Sequence, residues 1–254
     1  MRPTLSLIKR EFTAYFLSPI AYVVLAVFLL VTGHLFYLTL NLLTESGPRG
    51  VEFPMQSMLG DEKFWLVFLF IPPLLTMRLF AEERSTGTLE MLMTAPVRDW
   101  QVVLAKFFAC FLFYVVMWVP TMVYWPVLID LNLNNFTTGI DSRPVGTSYV
   151  GVLLAGAMFL SLGLFISSLV RSQMVAALVS LIISLPFIVA GFWRPEMDPS
   201  DLMYRMLFYI SVPLHFSRDF TRGILDIGHL VLYSSLTVFF LFMTVRSLES
   251  KRSK

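Results

Sequence analysis

The sequence predicts an all-α integral membrane protein with six transmembrane helices and an N-terminal amphipathic helix in the membrane interface. Three observations carry that prediction. The chain is 57% hydrophobic and 14% charged, with a mean hydropathy of +0.74, whereas an average soluble domain is roughly 45–50% apolar and about 25% charged. Six apolar runs approach the roughly 20 residues that cross a hydrocarbon core about 30 Å thick. Lys and Arg favour alternate connectors, as multi-pass proteins require.

The first 17 residues come before any span. Leu5, Ile8, Phe12, Tyr15 and Phe16 recur at three- and four-residue steps, with Lys9, Arg10 and Glu11 on the other side, so residues 3–17 read as an interfacial helix. Ser18-Pro19 then breaks it, because the residue before proline is pushed out of the helical region. Spans are expected at 20–43, 64–79, 107–129, 149–170, 174–192 and 229–245. The second carries Pro72-Pro73 and should be kinked. The fourth carries Gly151, Ala155, Gly156, Ala157, Ser161, Gly163, Ser167 and Ser168, small residues that let helices approach closely and place this span inside the bundle. The connectors leave no room for a sizeable soluble domain, so residues 1–254 form one transmembrane domain.

With the N-terminus in the cytosol, 12 of the 19 Lys and Arg but only 6 of the 17 Asp and Glu lie on the inner side. Both termini are therefore expected to be cytoplasmic. The first span is too long for the apolar core of a signal peptide and should be retained. Cys110 is the only cysteine, which rules out an intrachain disulfide. His34, near the outer end of the first span, reads as an interfacial or packing histidine rather than a functional group.

Residues 81–97 form a charged island between two apolar runs. Ser85 and Thr86 can cap a helix N-terminus, Glu90 falls in its first turn, and Pro96 stops it. Leu89, Leu92 and Met93 share one face, and Gly87 permits an unusual backbone angle or a close approach. Two helical turns are unstable alone in water, so that face must dock on lipid or protein. Glu82, Glu83 and Arg84 offer charges to a partner or simply form a solvated loop; spacing leaves both open.

The run Glu82-Glu-Arg-Ser-Thr-Gly-Thr-Leu-Glu-Met-Leu-Met-Thr-Ala-Pro-Val97 resembles the signature of ABC-2 type transporter permeases. The opening Ile8-Lys-Arg-Glu-Phe-Thr-Ala-Tyr-Phe-Leu-Ser-Pro-Ile-Ala-Tyr-Val23 is similar to their gliding-motility-associated branch. The resemblance implies an ABC-2 (type V exporter-like) permease fold in a bacterial cytoplasmic membrane. It also implies a homodimer or heterodimer of permease chains seated on a cytosolic ABC ATPase that binds ATP and Mg. By that resemblance the coupling contacts are Glu82, Glu83, Arg84, Gly87, Thr88, Leu89, Glu90, Leu92, Met93 and Pro96, with a smaller contact at Arg171. Leu89, Leu92 and Met93 would fill a cleft on the ATPase, the glutamates would meet its basic residues, and Arg84 would fix register. The chain itself is expected to bind no cofactor, metal or nucleic acid and to hold no catalytic residues. No Gly-Lys dipeptide occurs, so there is no phosphate-binding P-loop, and H-E-x-x-H and G-x-S-x-G are equally absent.

Residues 193–226 are too long for a tight turn and too apolar for a floppy one. Met203, Met206, Leu207, Tyr209 and Ile210 give helical spacing, which predicts an outer re-entrant segment. The resemblance places Pro213, His215 and Phe216 near an extracytoplasmic gate. Arg218 and Arg222 should meet an anionic headgroup or pair with Asp219 or Asp226. Two functions fit: an exporter of a lipidic, polymeric or other amphipathic substrate, or a non-transporting scaffold of an ATPase-driven motility or envelope machine.

Overall fold

A computed structural model describes residues 2–46, 54–88, 98–127, 143–190 and 202–252, and all regular structure among them is helical. The helices are α1 (Arg2–Phe16), α2 (Pro19–Ser46), α3 (Pro54–Leu59), α4 (Glu62–Phe68), α5 (Ile71–Thr76) and α6 (Ala81–Ser85). They are followed by α7 (Asp99–Trp118), α8 (Arg143–Leu169), α9 (Gln173–Val189), α10 (Leu202–Ile210), α11 (Val212–Arg218) and α12 (Ile227–Arg252). A 3-10 turn, Pro120–Val123, extends α7, and another, Phe220–Arg222, follows α11.

Among the described residues four helices are long and apolar enough to cross a membrane: Pro19–Glu45, Asp99–Val127, Arg143–Leu169 and Ile227–Ser250. They lie where the first, third, fourth and sixth spans are expected. The apolar helix Gln173–Val189 has 17 residues, about 25 Å at 1.5 Å per residue, somewhat less than a full crossing. Over the expected second span the chain forms two short helices, α4 and α5, joined through Leu69 and Phe70, which keep helical backbone angles, and followed by the turn 77–80. The reason is Pro72-Pro73, which occupies the first turn of α5, where a missing N–H leaves no ladder bond unmade. Ile71, Pro72, Pro73, Leu75 and Thr76 are buried in protein, the condition under which broken helix is tolerated at membrane depth.

The centre of the bundle is α8. Its membrane-crossing window is 72% buried, against 17% for α12, and its small residues are the cause. A Cβ at Gly156 would collide with the Tyr114 ring on α7, and one at Gly163 with the Thr76 hydroxyl on α5. Tyr114 then reaches past Gly156 and donates from its hydroxyl to the Val152 carbonyl at 3.1 Å. Trp65 on α4 is fully buried, packs 4.7 Å from Phe216 on α11, and donates from its indole N–H to the Leu59 carbonyl.

Helix α1 lies along α7. Tyr15 stacks on Phe113 at 5.1 Å and donates from its hydroxyl to the Leu75 carbonyl at 2.9 Å. The chain leaves α1 at Leu17-Ser18, and Pro19 opens α2. Arg78 fastens this corner, donating to the Ser18 hydroxyl and to the Ala14 carbonyl.

Candidate functional site: a clamped charged turn

The charged island begins as the short helix α6, whose ends are satisfied by other helices. The backbone N–H groups of Phe80 and Ala81 both donate to Ser167 Oγ at 3.1 Å, and that hydroxyl donates to the Met77 carbonyl at 3.1 Å. One α8 side chain thus meets N–H groups that a helix start leaves unpaired. Arg84 Nη1 donates to the carbonyls of Ser168 (3.0 Å), Leu169 (2.7 Å) and Val170 (3.4 Å). These carbonyls end α8, where a cation suits both the unpaired acceptors and the helix dipole. Burial, and then the like charge of Arg171, lower the Arg84 pKa; the two arginines expected at separate partner contacts are thus within electrostatic reach of each other.

Glu83 faces the other way, toward α7 and α1. Lys106 Nζ lies 2.7 Å from Glu83 Oε1 and 3.2 Å from Glu11 Oε2, and Arg10 Nη2 lies 2.7 Å from Glu11 Oε1. The Lys106 side chain is only 3% exposed, so its charge is matched within the protein. The two carboxylates respond differently. At Glu11 burial works upward, but Lys106 and Arg10 together outweigh it and hold the carboxyl below its usual value. At Glu83 burial prevails over Lys106 and pushes the carboxyl up, and Glu83 Oε2 is buried without a partner. A cleft of about 310 Å³ opens between α1 and α6, lined by Glu11, Arg78, Glu82, Glu83, Thr86 and Lys106 among others.

Ser85 and Thr86 close α6, and the helix that they are expected to cap lies almost wholly outside the described residues. Both hydroxyls donate to the Glu82 carbonyl, at 2.8 and 2.9 Å. Gly87 then turns the chain at φ +73°, and Thr88 shares a 2.9 Å hydrogen bond with the Thr86 hydroxyl. Of the expected coupling residues, Glu82, Gly87, Thr88 and Arg171 are exposed, whereas Glu83 and Arg84 are engaged within the chain. Leu89, Glu90, Leu92, Met93 and Pro96 lie outside the described residues. The sequence marks Ser167 only as a packing residue of the fourth span and Lys106 only as an inner-side charge just inside an apolar run.

At the other end of the bundle, Pro213, His215 and Phe216 come together on α11, all buried. Ser211 caps that helix, accepting from the Leu214 N–H. His215 Nε2 is 2.8 Å from the Phe208 carbonyl, which can only accept, so Nε2 carries the proton and Nδ1 accepts from Tyr233 O–H at 2.8 Å. Burial, with the neighbouring His229, lowers the His215 pKa to about 3. His215 stacks on His229 at 3.8 Å. His229 Nε2 is 2.9 Å from Asp219 Oδ2 and 4.0 Å from Asp226 Oδ2. Among the described residues, Asp219, Asp226 and His229 are the one group whose ligand atoms converge closely enough for a cation. Their arrangement is accounted for without one: Asp226 Oδ1 accepts from the Gly228 N–H at the start of α12, and Asp219 pairs with His229. Arg218 does not pair with Asp219 or Asp226. Its guanidinium lies over the Phe208 ring at 5.1 Å and donates to the Tyr204 hydroxyl, because α10 presents two aromatics beside it. His34 is exposed on the outside of α2.

No curated protein matches this chain. The family model described as ABC-2 family transporter protein matches residues 56–217, which takes in the charged turn, α7, α8, α9 and nearly all of α11. With four helices able to span a membrane and a match over more than half its length, the chain is a multi-pass membrane protein that belongs to the ABC-2 transporter family.

Proposed function

We propose that this chain is the membrane-spanning permease subunit of an ATP-binding-cassette transporter, driven by a separate cytosolic ATPase that docks on residues 82–96. ABC-2 permeases generally work with an ATPase subunit, and the observation that supports the docking point is the clamped turn. A charged segment tied to α8 by Arg84 and Ser167 and to α7 by Glu83 is held firmly enough to pass on a rigid-body movement. Its exposed residues, Glu82, Gly87 and Thr88, remain available to a partner. In this reading ATP and Mg bind only to the partner, and the permease works as a homodimer or heterodimer. Both termini face the cytosol of a bacterial inner membrane, and the cargo is a lipidic, polymeric or other amphipathic molecule moved outward.

The test is co-purification from the native membrane through a tag on this chain. An ATPase carrying a phosphate-binding loop should accompany the parent protein, and Leu89→Asp with Met93→Asp should remove it while the chain still inserts. An ATPase retained in full by the double variant would place docking elsewhere. The scaffold alternative rests on the resemblance of residues 8–23, which lie outside the matched 56–217.

A further inference from the structure

The charged turn has two physical routes into the bundle. Along the backbone it joins α5, but the helical ladder between them is interrupted at residues 77–80, and α5 itself is separated from α4 by the turn at 69–70. A displacement passed that way crosses a weakened ladder, in which the Phe80 and Ala81 N–H groups bond Ser167 rather than carbonyls of their own segment. Across the bundle the path is unbroken. Ser167 holds the first N–H groups of α6, and Arg84, near its other end, holds the carbonyls of the adjoining residues 168–170. Two attachments at opposite ends of α6 fix its rotation as well as its position. The link to α7 is of another kind: the single ammonium of Lys106, a point charge around which a carboxylate can pivot.

We infer that Arg84 and Ser167 are positioning residues that deliver movement of the charged turn to the inner end of α8 and through it to the α8–α9 turn, so that the fourth and fifth spans move with the charged turn. The inference rests on the permease reading above.

The test uses the tag-purified complex with Cys110→Ala, reconstituted in lipid nanodiscs. Spin labels pair Tyr22 on α2 either with Thr88 in the charged turn or with Met174 on α9, all three exposed. Distances are measured without nucleotide and with ATP plus vanadate. Both pairs should shift in the parent. In Arg84→Met and in Ser167→Ala the Thr88 shift should persist while the Met174 shift falls by about half or more. Arg84→Lys, which keeps the charge but not the fixed guanidinium plane that aims Nη1 at the three carbonyls, should fall between. An unchanged Met174 shift in both variants overturns the inference. A parent complex without an ATPase, or one in which nucleotide moves neither pair, overturns the permease reading itself.

Discussion

The Lys106 ammonium lies 2.7 Å from the Glu83 carboxylate, at a position where the lysine side chain is only 3% exposed. The same ammonium reaches Glu11 at 3.2 Å, so one buried cation joins the N-terminal helix, the charged turn and the start of a membrane-spanning helix. Neither carboxylate is more than 21% exposed, and each depends on Lys106 for the solvation that water no longer supplies.

Removing that cation should therefore cost far more than losing a surface ion pair. Lys106→Met leaves two acidic groups facing one another in a poorly hydrated site, and breaking a buried pair from one side costs about 3–5 kcal/mol. The melting temperature of the detergent-solubilised protein should fall sharply. Adding Glu83→Gln should recover much of the loss, because it removes the uncompensated charge. Equal melting temperatures for the single and double variants would show that Glu83 does not rely on Lys106.

Acid should separate the two carboxylates. Glu83, whose carboxyl burial pushes up, takes its proton before Glu11, which Lys106 and Arg10 hold down. A raised carboxyl favours the folded state at low pH, and that contribution is lost as pH rises through the folded value. A depressed one stabilises at higher pH, and its contribution is lost as pH falls through the folded value. On acidification Glu83 should thus release Lys106 above the ordinary 4.5, and destabilisation arising from this pair should follow only below 4.5 as Glu11 titrates. Infrared difference spectra should show a carboxyl band that appears above 4.5 and is missing in Glu83→Gln.

Much of this architecture is legible in the sequence, and the exceptions have physical causes. The small residues of α8 announce a buried helix because nothing else admits Tyr114 and Thr76 so closely. The charges at Glu83 and Arg84 misled, since local spacing says only that a charge must be solvated or paired. Their partners lie 23 residues away at Lys106 and 84 to 86 residues away on α8, and no periodicity reports such a meeting. Ser85 and Thr86 suit either end of a helix, as hydroxyls accept from N–H groups or donate to carbonyls. Here both donate to the Glu82 carbonyl at the end of α6. Pro72-Pro73 was visible as a disturbance, but only packing distinguishes a kink from a fresh helix start.

Close approach at α8 gives a further test. Gly163→Ala drives a methyl group onto the Thr76 hydroxyl, and overpacking of this kind costs about 1–3 kcal/mol. Thr76→Ala removes the colliding oxygen, so the double variant should be more stable than Gly163→Ala alone. Thermal unfolding of the three proteins decides the matter. A Gly163→Ala protein as stable as the parent would mean that α5 yields freely to α8.

His215 makes stability at the other end of the bundle depend on pH. Its ring is enclosed between Phe208, His229 and Tyr233, with Asp219 and Asp226 beyond His229, and burial, with His229 beside it, lowers its pKa from the usual 6.5 to about 3. An unfolded chain would take up a proton on this ring below 6.5 while the folded one does not, so stability is lost as pH falls from 6.5 toward 3. By pH 5 the loss from this group should reach about 2 kcal/mol, from 1.36 kcal/mol for each unit. His215→Gln keeps polar atoms near Tyr233 and Phe208 but cannot titrate. Its melting temperature should therefore be lower than the parent's at pH 7.5, through imperfect hydrogen bonding, yet decline less steeply between pH 6.5 and 5. Parallel declines for the two proteins would assign the acid sensitivity to another group.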